Sequence, residues 1–240
     1  MRRISDRIDS RVFEQFPGYC WGKVLCWRVD NRRGLEEATL LLREIEAAVR
    51  EDGALTDVVQ HPKIAAWRRA FTEFGARPSK YQSSIEALVR RVRRGDPLPP
   101  ISPLVALYNA VSLRFLLPVG GDDLDLVSGS LALRPARGDE PYTPLGTEES
   151  DPPLPGEIIY TDEVKVLCRR WSWRGGESTK ISAGTTNAVL NVHGLPPSTR
   201  EEVTRATETL ATLVRRVCGG ATDWYVLDAA SPTRDTEQAG

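Results

Sequence analysis

Apolar residues recur along this chain in two rhythms, one near 3.6 residues and one near two, and the rhythms do not settle into a repeating strand–helix–strand unit. Residues 20–29 concentrate Val24, Leu25, Cys26, Trp27 and Val29, which predicts a strand. Within 35–50, Leu41, Leu42, Ile45, Ala48 and Val49 fall at helical spacing, and Gly53 follows as a stop. A second helix is predicted over 62–74, opened by Pro62 and closed by Gly75. Ser83 and Glu86 form a capping-box pattern. Ile85, Leu88, Val89 and Val92 then make one apolar stripe, with Arg90, Arg91, Arg93 and Arg94 in its last turns. Cations there complement a helix dipole, or they reach out to RNA. Residues 103–115 predict a helix that buries Leu104, Leu107, Tyr108 and Val111 and sets Asn109 and Ser112 on one shared face.

In the second half, residues 118–123 (Pro-Val-Gly-Gly-Asp-Asp) predict a tight turn, followed by a strand over 129–133. Two short strands, 157–160 and 164–170, are joined by Thr161-Asp162-Glu163, and Trp171-Ser172-Trp173-Arg174 runs into a Gly175-Gly176 turn. The alternation over 186–192 predicts a half-buried strand. Ser198 and Glu201 form a second capping-box pattern before a helix burying Val203, Ala206, Leu210, Leu213, Val214 and Val217, and 224–227 make a last strand. The predicted fold is α+β, with mixed or antiparallel sheets flanked by helices. Its expected organisation is a polar arm over 1–18, one domain of two packed lobes over 19–228, and a disordered tail over 229–240. An acidic, proline-rich connector is placed near 138–156.

Charge changes this picture in one respect. The net charge is −1, but residues 1–94 carry +6 and residues 95–240 carry −7. A basic half suits a phosphate backbone, although sequence halves need not be surface faces. No apolar run approaches the roughly 20 residues of a membrane span. The opening residues lack an apolar core behind their arginines, so a secretory signal is not expected and a cytoplasmic location is. Four cysteines without C-x-x-C spacing and two histidines predict neither a metal site nor a cofactor.

Familiar nucleophile and phosphate-loop motifs are missing: there is no G-x-S-x-G elbow, Walker lysine or G-x-G-x-x-G. His61 precedes Pro62 at a helix start, where capping or exposure is expected, and His193 ends a strand as a candidate site residue. What remains is a polar constellation. Lys80, Tyr81 and Ser84 lie at a helix start suited to an anion. Asn109 and Ser112 offer donors, and Gly120 and Gly121 admit close approach to the backbone. Arg170, Trp171, Trp173 and Arg174 suit stacking on a base or clamping a carboxylate, unless the indoles are simply core.

Four stretches carry a resemblance over roughly residues 60–220: 80–88 (KYQSSIEAL), 101–113 with Asn109 and Ser112, 118–125 (PVGGDDLD), and 168–174 (CRRWSWR) ahead of 185–188 (TTNA). In that order they resemble the B3/B4 family, the editing module of the phenylalanyl-tRNA synthetase β subunit. The resemblance implies that family's fold and an aminoacyl-ester hydrolase acting on mischarged tRNA, as that module removes tyrosine from phenylalanine tRNA. Asn109, nine residues before Pro118, would line the pocket. Gly120 stands where the synthetase has a histidine, and Asn191 near where it has a glutamate. The expected partners are the aminoacyl-tRNA 3′ end and an amino acid, not DNA or a membrane. Asn109, Ser112, Gly120 and Gly121 would polarise the ester. Lys80, Tyr81, Ser84, Arg170, Trp171, Trp173, Arg174, Thr185, Asn187, Asn191 and His193 would hold the substrate and tRNA end. A non-catalytic amino-acid or tRNA-binding module, or transfer of the acyl group to an amine, are the alternatives.

Overall fold

The computed structural model describes residues 3–237. Strand β1 (Arg3–Ile8) and helix α1 (Ser10–Gln15) precede β2 (Cys20–Trp27). A helical block follows, α2 (Leu35–Glu51), α3 (Pro62–Glu73), α4 (Ser84–Arg93) and α5 (Pro103–Phe115). Then come β3 (Val119–Asp123), β4 (Leu131–Pro135), β5 (Ile158–Thr161), β6 (Val166–Arg169), β7 (Arg174–Gly175) and β8 (Ala188–Gly194). The chain closes with α6 (Arg200–Cys218), β9 (Ala221–Leu227) and β10 (Thr233–Glu237). One sheet has six strands in the order β10-β1-β4-β5-β6-β7 and is mixed, because β1 and β4 run parallel. The other has four antiparallel strands in the order β3-β8-β2-β9. The fold is α+β, as expected.

Both chain ends differ from expectation. Within the segment read as an arm, β1 alternates exposed residues with buried Ile4, Asp6 and Ile8. It is held between β4 and β10, so its order comes from partners more than 120 positions away. The tail supplies β10 of that same sheet; positions 238–240 of the expected tail lie outside the described residues. The stretch 138–156 links β4 to β5 within one sheet and therefore does not join two lobes. Residues 119–123 are a strand, not a turn: pairing with β8 overrides the local preference of two glycines. Strand β8 is buried along its whole length, not half-buried. The capping boxes also shift. Ser83 caps α4, but the Glu86 carboxylate turns to Arg68 (2.7 Å) and Arg90 (3.0 Å), and the reciprocal box belongs to Thr199 and Glu202.

The α4 arginines are engaged inside the fold. Arg93 donates to the Arg50 and Asp52 carbonyls at the end of α2, Arg91 to the Pro97 carbonyl, and Arg94 pairs with Asp96. Helix α6 packs on one face of the four-stranded sheet, where a Cβ at Gly22 would overlap Thr207. On the opposite face a fully buried polar bridge ties the two sheets together. Lys23 Nζ lies 2.8 Å from Asp6 Oδ1 and 3.2 Å from the Tyr160 hydroxyl, and the Tyr225 hydroxyl donates to Asp6 Oδ2 at 2.5 Å. Burial of that size holds two charges only because each has partners.

Candidate functional site

The turn from β6 to β7 is built from two consecutive left-handed residues, Arg170 (φ 48°) and Trp171 (φ 63°). Bulky residues adopt that region at a cost of about 1–3 kcal/mol each. The offset is visible in where the side chains go. Trp171 is fully buried against Phe16, Tyr19 and Trp67, with ring centroids 4.8, 4.7 and 5.2 Å away. Arg170 turns the other way: its guanidinium sits 3.6 Å from the Tyr81 ring and 4.6 Å from Trp173, and its Nε lies 2.8 Å from Glu157. The amide of Ser84, the first residue of α4, donates to the Ser172 carbonyl at 2.7 Å and pins the turn to that helix.

This turn forms one wall of a cavity of about 740 Å³. Leu88, Val105, Tyr108 and Asn109 on α4 and α5 face it, β3 and β8 floor it, and Arg174 and the Glu177–Lys180 ion pair stand at its rim. The floor has a definite phase. His193 N donates to the Pro118 carbonyl and Leu124 N to the Asn187 carbonyl, so Gly120 and Asn191 are a hydrogen-bonded pair, and the Gly121 amide lies outside the ladder. Residues two apart on a strand share a face, which puts Gly120 and Asp122 side by side. A Cβ at Gly120 would meet nothing within 4 Å, whereas one at Gly121 would overlap Leu190 on the opposite face. The Asn109 amide has no hydrogen-bond partner among the described residues.

The floor is electrostatically unusual. Burial pushes the Asp122 carboxyl up to about 7, against the Thr179 hydroxyl, which donates to Oδ1 at 2.6 Å and favours the ionised form. Lys23 lies close enough to act on Asp122 but is itself lowered by burial. Burial, helped by Lys23, pushes His193 down to about 3, so its imidazole is neutral at ordinary pH. Burial also pushes the Cys168 thiol up to about 12, which makes it a poor thiolate nucleophile. The chemistry left to this cavity is hydrogen bonding, proton transfer at a carboxylate, and apolar or aromatic contact.

A family model described as the B3/4 domain matches residues 66–219. The chain belongs to the B3/4 domain family. The phenylalanine–tRNA ligase beta subunit of Fusobacterium nucleatum is 29% identical over 127 residues, which take in 52% of this chain and 15% of that one. The chain thus spans a small part of that relative's length. An N-terminal fragment of the phenylalanyl-tRNA synthetase beta-subunit from Pyrococcus horikoshii has a similar structure, with a TM-score of 0.46 and 14% identity over 91% of this chain and 50% of that one. Every residue lining the cavity falls inside the matched B3/4 segment, whereas Asp6, Lys23 and Tyr225 of the polar bridge lie outside it.

The B3/4 domain brings together Ser84, Asn109, Gly120, Gly121, Trp171, Trp173, Arg174, Asn191 and His193 around the cavity. It places the other candidates elsewhere. Ser112 is fully buried and donates to the Leu117 carbonyl at 2.6 Å, tying off the end of α5. Thr185 donates to Asp123 at 2.6 Å, and Asn187 bonds Asp125 and the Arg28 amide, so both brace β8. Lys80 is exposed beside Tyr81, and Tyr81 and Arg170 support Trp173 from behind the wall. Within the cavity, Asn191 accepts from Trp21 Nε1 at 3.1 Å, and Trp171 serves as core and wall at once. Asp122, Tyr160 and Tyr108 were not among the candidates. The signal for Asp122 was the spacing from Gly120, legible only once 119–123 is a strand.

Proposed function

We propose that this B3/4 protein binds the aminoacylated 3′ end of a tRNA and hydrolyses the ester of a mischarged amino acid in trans. One observation carries the reading: a cavity of about 740 Å³ inside the matched segment sets aromatic walls opposite an unpaired amide, Asn109, and a buried carboxylate, Asp122. That volume is in the range of small-molecule sites, roughly 300–1,000 Å³. An aminoacyl ester is already activated, so placing a water and polarising the carbonyl is sufficient chemistry. The Asn109 amide suits the role of oxyanion donor, with the Gly121 amide as a second donor at the sheet edge. Supporting the tRNA partner are the names of the two relatives, both subunits of enzymes that charge tRNA.

The test is release of amino acid from a panel of tRNAs each charged with a different residue. At least one ester is expected to be cleaved roughly tenfold or more above buffer, and Asn109→Ala to lower that rate about 100-fold, as removal of an oxyanion donor does. A panel in which nothing exceeds buffer would overturn hydrolysis. It would leave a second reading, a binding module without turnover, which the open space at Gly120 and the neutral His193 favour. That reading predicts a thermal shift with an amino acid by mass action.

A further inference from the structure

We propose that Asp122 is the catalytic base of this site, its Oδ2 taking the proton of the water that attacks the aminoacyl carbonyl. The proposal rests on the hydrolase reading above. Three observations carry it. Asp122 lines the cavity, is 7% exposed, and shares the face of β3 with Gly120, where no side chain fills the space. Only one of its oxygens is used: Thr179, fully buried, donates to Oδ1 at 2.6 Å and orients the carboxylate, while Oδ2 has no hydrogen-bond partner among the described residues. The other titratable side chains at the floor are unsuited to the task, since Tyr108, Tyr160 and Cys168 are all shifted up by burial and His193 is neutral and bonded to Tyr19.

The step balances without a further reactant. Water oxygen bonds to the carbonyl carbon as its proton passes to Asp122 Oδ2, and the carbonyl electron pair moves onto the oxygen facing Asn109. When the tetrahedral adduct collapses, the bond to the ribose oxygen breaks, and that oxygen takes the proton back from Asp122. The products are a free amino acid and a tRNA hydroxyl. A base in this position works best with a pKa near the working pH, and burial lifts Asp122 to about 7. The charged and titratable groups around it are Lys23 from β2, Asp162 and Lys165 from the β5–β6 turn, and Tyr108, Tyr160 and Cys168. The two lysines oppose the shift and Asp162 adds to it.

The experiment compares wild type, Asp122→Asn and Thr179→Val on the best ester of the charged-tRNA panel, with kcat, KM and the pH profile of kcat. Asp122→Asn is expected to lower kcat about 100-fold with KM within about threefold of wild type. Thr179→Val is expected to stay active and to move the acidic limb of its profile to higher pH, because the lost hydroxyl had favoured the ionised carboxylate. An Asp122→Asn kcat within about threefold of wild type, or a loss confined to KM, overturns the assignment and leaves the hydrolase reading standing. If Asp122→Asn does not fold, an unmoved limb in Thr179→Val overturns it instead. A wild-type chain that cleaves no ester overturns the hydrolase reading and this assignment with it.

Discussion

The Tyr19 hydroxyl lies 2.7 Å from His193 Nδ1, and the phenol packs edge-on against Trp171, so the only histidine in the cavity is tied into the core. Tyr19→Phe should therefore destabilise the fold by about 1–3 kcal/mol, the cost of a buried polar group left unpaired. Equilibrium unfolding in urea measures this. Because folding lowers His193 from its ordinary 6.5 to about 3, the folded chain binds fewer protons than the unfolded one across that window. Its contribution is present in full above pH 6.5 and is lost on acidification toward 3, with a slope of about 1.4 kcal/mol per pH unit.

Asp122 has the opposite sign. Folding raises its carboxyl from 3.8 to about 7, so the folded state binds more protons in that interval and the ionised residue destabilises it above pH 7. Asp122→Asn should raise stability at pH 8, and the gain should shrink to nothing as the pH approaches 4. Thermal unfolding of the two proteins across that range checks it. A site residue whose removal stabilises is the expected trade between activity and stability.

Glu157 is 2% exposed and serves two arginines: Arg169 donates to it at 2.8 and 3.0 Å, and Arg170 Nε lies 2.8 Å away. Glu157→Gln should cost about 3–5 kcal/mol, since it leaves two buried guanidinium groups short of a counter-charge. The loosened turn should also raise the accessibility of Trp171 and Trp173, readable as increased fluorescence quenching by acrylamide.

The adjacent glycines should respond differently to alanine. Gly120→Ala places its methyl in open space and should leave the melting temperature nearly unchanged while reducing ligand binding in the cavity. Gly121→Ala forces its methyl into Leu190 and Ile181, and should destabilise by about 1–3 kcal/mol. Paired thermal melts, with and without ligand, separate the two.

What was legible in the sequence follows from where the information lies. Helices α2 to α6 carry their own stripes, caps and stops, so their spans were readable to within one or two residues. Strands β1 and β10 are short and polar and exist because they pair with each other across the full length of the chain, which no local window contains. Strand β3 was hidden by Gly120-Gly121, whose turn preference yields to pairing with β8. The same misreading concealed Asp122, since only a strand puts it on the face of Gly120. Asn109, Trp173 and Asn191 were found because the motif resemblance pointed to them. Ser112 and Thr185 have the right chemistry, but their hydroxyls are spent on structural bonds.

The central claim is that the cavity between α4, α5, β3 and the Trp171 turn holds an aminoacyl ester. A crystal structure of the protein with a non-hydrolysable 3′-aminoacylamino-adenosine tests it most directly. The account predicts the amino-acid side chain against Trp173 and Tyr108, the carbonyl oxygen within hydrogen-bond distance of the Asn109 amide, and the carbonyl carbon facing Asp122. An analogue bound outside this cavity, or bound inside it with its carbonyl turned away from Asn109, would contradict the account.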